Sequence, residues 1–272
     1  MIRPSDIPGT VIDLANARVL DPYGLVVVAC AAMAAVEAGA GPLTFIPPRL
    51  SNTSNYLSRM NLPAFLAEYC RLDSRLPARR SGQVDPTCLC EIRRFTPDDD
   101  RQELADLLAA RLHGVAAGDV IIVLLASLWE LIDNTLFHAH TSGSVVAAQV
   151  YDRHSDRARV DLAIGDVGIG IRASLQNSPT RYDAPDDSPA IELALRENVS
   201  ATGDPARGVG LTAVWRDIRV LRGTTLVRSG TAACVIHPKA PPSHSRGRGS
   251  IPGTVVALSI PCHQRQTPAP RV

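Results

Sequence analysis

Glu130, Asn134 and His138 recur every fourth residue in Ser127-Leu-Trp-Glu-Leu-Ile-Asp-Asn-Thr-Leu-Phe-His-Ala139. On a helix this spacing puts a carboxylate, an amide and an imidazole on one face, where all three can reach one cavity. Such groups are costly to bury without a partner or a task, although a polar helix side that simply meets solvent would show the same spacing. A second group is Asp166-Val-Gly168-Ile-Gly170, directly after an apolar run. A carboxylate at a strand end accepts hydrogen bonds and can receive the exocyclic amine of adenine. Glycines just beyond it let backbone approach a nucleotide closely and turn sharply. A third group, Arg207-Gly208-Val-Gly210-Leu211, opens an amphipathic stretch through Ala213, Val214 and Ile218. Free N–H groups at a helix start, with no Cβ in the way, suit a phosphate chain.

Gly168-x-Gly170-x-x-Ala173 after a strand also fits a dinucleotide fingerprint. That fingerprint requires a helix and a second parallel strand within about 30 residues. The segment from Gln176 is instead polar and broken by prolines, so the dinucleotide reading is set aside.

The elements that must position these groups follow from periodicity. Leu125, Leu128, Ile132 and Leu136 form the buried face of a long helix starting near Val120. Before it come a strand over Thr87 to Phe95 and a helix over Arg101 to Leu112, whose entry Pro97-Asp-Asp-Asp favours the positive end of the helix dipole. After it, strands are expected over Ser144 to Tyr151 and Ala158 to Ile164, then helices over Ala190 to Glu197 and from Gly208. Three closing strands are expected: Thr225 to Ser229, Ala232 to His237 and Thr254 to Ile260. Pro238 to Ile251 reads as a mobile loop and the tail beyond Cys262 as frayed. Upstream, strands over Val11 to Ala15 and Leu43 to Ile46 alternate with a helix over Leu25 to Ala38 and two short helices between Asn55 and Tyr69. That order indicates a small α/β unit with a parallel pair. The fold class is therefore α/β (α+β), with an N-terminal unit over 1–70, a linker over 71–86, a second domain over 87–262 and a tail over 263–272.

A formal charge of +1 over 272 residues gives no global footprint for nucleic acid or anionic lipid. The run Leu25 to Ala38 is too short for a membrane span and carries Glu37. The start lacks the apolar core of a signal peptide, so a cytoplasmic protein with reduced thiols is expected. Cys88 and Cys90 are expected to face opposite sides of a strand and to make a poor disulfide or zinc pair.

Glu130-x-x-x-Asn134, Asp166-x-Gly168-x-Gly170 and Gly208-x-Gly210-Leu211 occur in the order and at the intervals of the GHKL ATPases, the superfamily of gyrase, histidine kinases and MutL. Over Thr87 to Pro261 the chain resembles this superfamily, and Glu130, Asn134 and His138 make it most similar to the anti-sigma-factor serine-kinase branch. Thr254, in Pro-Gly-Thr-Val-Val-Ala-Leu, matches the Gly-Thr of the family's closing strand. The resemblance implies a Bergerat-type sandwich, a mixed sheet with helices on one face. It also implies ATP and magnesium as ligands. Asn134 would then hold a magnesium ion bridging the phosphates. Glu130 would orient or deprotonate the attacking hydroxyl of water or of a serine. Asp166 would read adenine with Thr254 beside it, Gly168 and Gly170 would admit the nucleotide, and Gly208, Gly210 and Leu211 would face the phosphates. Gln176 to Arg207 would form a lid, with Arg207 at the γ-phosphate. His138 would either face the phosphates or cap the core.

Asp13-Leu14, Asp21-x-x-Gly24 and Tyr56-Leu-x-Arg-Met-x-Leu62 make the first unit similar to a STAS domain, the fold of anti-anti-sigma factors. A generic α/β module that packs against its neighbour fits the same residues. Where that family carries a phosphorylatable Ser or Thr before the glycine, this chain has Pro22-Tyr23. The implied function is an ATP-binding regulator acting on a protein partner, a sigma factor or STAS-type regulator, with no nucleic-acid or membrane partner and a homodimer compatible with it. The alternatives are a nucleotide-dependent interaction module without turnover and, third, a sensor histidine kinase fragment. The last lacks the usual phosphoacceptor helix and a dimerisation helix pair before Thr87.

Overall fold

The computed structural model describes residues 10–72, 85–95, 101–138, 143–196, 199 and 210–263, without the side chains of 136–138 and 248. The first unit runs β1 (Val11–Asp13), α1 (Pro22–Glu37), β2 (Leu43–Ile46), α2 (Ser51–Arg59), α3 (Leu62–Leu66) and β3 (Cys70–Arg71). Its strands pair in parallel in the order β1-β2-β3. The third strand occupies the start of the expected linker. Two residues carry too little alternation to be seen as a strand in sequence. Asp21 caps α1, its carboxylate accepting from Gly24 N–H at 2.8 Å, and Pro22 enters the first turn with φ already preset.

The second unit contributes β4 (Cys88–Phe95), α4 (Arg101–Leu112), α5 (Gly118–His138), β5 (Ser144–Tyr151), β6 (Arg159–Asp166), α6 (Gly170–Gln176), α7 (Asp187–Ala194), α8 (Gly210–Val220), β7 (Thr224–Ile236) and β8 (Ser243–Pro261). Its five strands pair in the order β4-β5-β6-β8-β7. Every pairing is antiparallel, where a mixed sheet was expected. The architecture is α+β.

Alternation along the strands divides the sheet between two cores. Val160, Leu162 and Ile164 of β6 face α4, α5 and α8 and join Leu108, Leu128 and Ile218. Ala163 with Val145 and Val255 faces the other way, onto Leu25, Val26, Ala29 and Met33 of α1. Both faces are therefore covered, and the first unit supplies one cover. Leu25, Val26 and Met33 are at most 1% exposed, and burial of each contributes about 1.5–3 kcal/mol. Residues two apart in a regular strand share a face, so the expectation for Cys88 and Cys90 needed another cause. A register shift between them sends Cys88 to the α1 core and Cys90 to the helical core. None of the six cysteines is in a disulfide.

Three expectations change. The buried stripe of α5 runs through Val120, Leu124, Leu128, Leu131 and Ile132, with Leu125 half-buried. The closing strands are two long ones, because β7 continues across Gly230, whose φ of +58° and register shift absorb the break. Residues 243–251, expected as a mobile loop, pair with β7 as the distal arm of this hairpin, with Val235 opposite Ser243. Small polar and glycine residues mimic a linker in sequence, yet edge pairing asks only for backbone groups. Among the described residues no helix is long and apolar enough to cross a membrane.

Candidate functional site

Helix α5 carries Glu130 and Asn134 one turn apart, Glu130 exposed and Asn134 half-buried. Opposite them α8 begins at Gly210. A Cβ added there would lie 2.7 Å from Glu130 Oε2 and 3.8 Å from Asn134 Nδ2. The first and third motifs therefore meet at a helix start where a side chain larger than hydrogen displaces the glutamate. An 11-residue helix presents a positive dipole end, so a carboxylate is favourable there and a phosphate equally so. Leu211 turns inward onto the helical core.

Asp166 ends β6, 7% exposed. Gly168 N–H donates to its Oδ1 at 2.7 Å, and the backbone N–H of Thr254 donates to the same carboxylate. Burial pushes its pKa up to about 6, and the two N–H donors oppose that rise. The carboxylate is thus mostly ionised at pH 7, the form that accepts from an amine. Gly253 packs onto it so closely that an added Cβ would fall 2.2 Å from Asp166 O and 2.4 Å from Oδ1, at a φ of +62°. Gly170, with a φ of +76°, begins α6 against Ser229 Oγ and Gly253 O. Ser229 joins these parts: it accepts from Ile171 N–H at 3.0 Å, donates to Gly253 O at 2.9 Å and accepts from Thr254 Oγ1 at 3.3 Å. Gly253 and Ser229 were missed as site residues in sequence. Gly253 lay beside a motif residue, and Ser229 has no local signal.

Helix α6 follows this loop, but the parallel strand of a dinucleotide fold does not, since both neighbours of β6 are antiparallel. A cavity of about 370 Å³ beside Gly168, Gly170, Arg172, Asp187, Ser229 and Gly253 includes neither Asp166 nor Asn134 in its wall. It lies on the hairpin side of the loop rather than between the motifs.

The expected lid begins as a fixed wall. Asp187 Oδ2 accepts from Thr231 N–H and Oγ1, both at 2.8 Å, and Arg246 pairs with Asp186. Arg172 and Gln176 donate to Ala184 O, while Thr212 and Trp215 donate to Leu195 O. Ala184, Ala190 and Ile191 are fully buried. Residues 176–196 therefore depart from the mobile lid expected over Gln176 to Arg207, because the hairpin arm and α8 supply their partners. Arg207 and Gly208 lie outside the described residues, as does the side chain of His138. Backbone places His138 at the end of α5, one turn beyond Asn134.

The donor set suits an adenine nucleotide: a buried carboxylate for the base and a glycine-opened helix start beside an amide for the phosphates. Among the described residues no three His, Cys, Asp or Glu side chains converge on a metal position. Compared with known protein families and with curated proteins, the chain matches no family model and no curated protein.

Proposed function

We propose that the protein is an ATP-binding regulator of the GHKL type, of the anti-sigma or serine-kinase kind, acting on a protein partner in the cytoplasm. The approach of Gly210 to Glu130 and Asn134 carries this reading. It joins segments some 80 residues apart in sequence, and it does so at a glycine-opened helix start, which suits phosphates. Asp166 supports it as the base-reading group, held ionised by Gly168 and Thr254. In this reading Asn134 holds magnesium against the phosphates. Glu130 accepts the proton of the attacking hydroxyl, a serine of the partner or water. ATP supplies the transferable phosphoryl group.

Calorimetry with magnesium and ATP tests the reading. The parent protein binds, and Asp166→Asn loses about 1.5–3 kcal/mol, roughly ten- to hundredfold in affinity, because an amide can oppose a donor with a donor. Equal affinity of parent and variant removes Asp166 from adenine recognition. Labelled ATP with cell extract separates the classes: labelled serine on a co-purifying protein marks a kinase and free phosphate an ATPase. Binding with neither marks an interaction module.

A further inference from the structure

One row of the large sheet runs directly behind Asp166: Arg94, Val145, Gly165, Val255 and Arg228, paired across β4, β5, β6, β8 and β7. Helix α1 of the first unit lies along that row. At its start Tyr23 OH accepts from Arg228 Nη1 at 3.2 Å. One and two turns on, Val26 and Cys30, both at most 1% exposed, press on Gly165. A Cβ there would lie 2.7 Å from Val26 Cγ1, 2.9 Å from Val255 Cγ2 and 3.0 Å from Cys30 Sγ. Contact this close needs glycine. Gly165 precedes Asp166, and Val255 follows Thr254, whose N–H holds the carboxylate. The backbone on both sides of that hydrogen bond is therefore braced from behind by one helix.

We propose that Val26 and Cys30 are positioning residues for Asp166, so that the seating of the N-terminal unit on Gly165 sets how well the second unit holds an adenine nucleotide. The proposal rests on the ATP-binding reading and extends it to a unit that contributes no group to the nucleotide itself. The groups that act on the Asp166 carboxyl are the Gly168 and Thr254 amides in front, and the Cys30 thiol of α1 feels its charge from behind. Burial, with the Asp166 charge adding to it, pushes the Cys30 thiol well up, so it packs as a neutral, small apolar group.

The test uses the full chain with Gly165→Ala, Val26→Ala and the double variant. Each is measured for magnesium-ATP affinity, for the carbon-13 titration of the Asp166 carboxyl, and for melting temperature. Gly165→Ala is expected to weaken ATP binding about tenfold. Adding Val26→Ala makes room for the new methyl and is expected to recover about threefold of that loss. A double variant no tighter than Gly165→Ala overturns the proposal. If Gly165→Ala does not fold, Val26→Ala and Cys30→Ala, which only remove atoms, take its place. Their Asp166 titration is expected to shift down from about 6, as water gains access behind the strand. An unchanged titration alongside a lowered melting temperature would reduce both residues to ordinary core and sink the proposal. A parent protein that binds no ATP refutes the nucleotide reading alone, because the carboxyl titration still decides whether α1 positions Asp166.

Discussion

Asp166 and Glu130 are the two carboxylates that the motifs single out, and the protein treats them differently. Asp166 is 7% exposed, takes two backbone N–H donors, meets Gly253 in front and has α1 braced behind its strand. Glu130 stands exposed at the start of α8, next to a glycine that leaves it room to move. In the proposed ATP-binding reading, the half that would read the base is fixed by the fold before any ligand arrives. The half that would meet the phosphates is left open, where a group would have to change partners during a reaction. Recognition gains from a preorganised partner, whereas proton transfer needs a base free to reach its substrate.

The sharpest way to separate the halves is to disable one and keep the other. Glu130→Gln keeps the shape and removes the base, so nucleotide binding should persist while any turnover falls about 10²- to 10⁴-fold. Gly210→Ala should act in the same direction by pushing Glu130 aside, since the clash falls on the movable end of its side chain. Undiminished phosphate release by Glu130→Gln in a clean preparation would remove that residue from the mechanism.

On the rigid half a methyl group should do what a lost carboxylate does. Gly253→Ala combines a positive φ with a clash against the Asp166 backbone, which cannot swing away. A loss of about 3 kcal/mol in stability or an equivalent loss in ATP affinity is expected, measured by urea denaturation and calorimetry. Parent-like values in both would mean that the two strands separate freely there, and that Asp166 is not preorganised.

How much of this was legible in the sequence follows the same division. Glu130, Asn134, Asp166 and Gly210 announce themselves by local spacing, and the structure places each at the end or on the face of the element expected. The support around them comes from residues distant in the chain. Nothing near Ser229 says that it will accept from Ile171, and nothing in Val26 says that it will press on Gly165. Composition also misled at 243–251, where glycine, serine and arginine suggested a mobile loop. Strand β7 holds that segment through its backbone, and Arg246 and Thr231 on the hairpin fasten Asp186 and Asp187. Patterns within one element were readable, whereas pairing between elements was not.

Acid should act on the rigid half through Asp166. Its carboxyl, raised to about 6 by burial, protonates as pH falls through that range. A protonated carboxyl would present a donor toward the adenine amine, so ATP affinity should fall by up to about tenfold per pH unit below 6. Stability of the free protein should respond in the opposite sense. Because the folded pKa is raised, the protonated form is favoured in the folded state. This contribution is present below the ordinary carboxylate range and lost as pH rises through about 6. Calorimetry between pH 5 and 8 on the parent and on Asp166→Asn checks this. A pH dependence that survives in the variant would assign it to another group.

The smallest effect is expected on the open side, in the segment that leads into α8. Residues 176–196 are already fastened by Asp187, Arg172 and Trp215, so nucleotide has little left to order there. In the ATP-binding reading, Arg207 and the amides from Gly208 onward would meet a γ-phosphate through charge-assisted hydrogen bonds, so any nucleotide-dependent protection is expected at Ala201 to Leu211. Amide exchange in 201–211 should therefore slow more with a non-hydrolysable ATP analogue than with ADP, while 184–194 exchanges equally slowly with either nucleotide or none. Equal protection of 201–211 by both nucleotides would show that the open half does not sense the γ-phosphate. Slowing across 184–194 on ATP binding would show instead that the wall is not fixed by the hairpin arm.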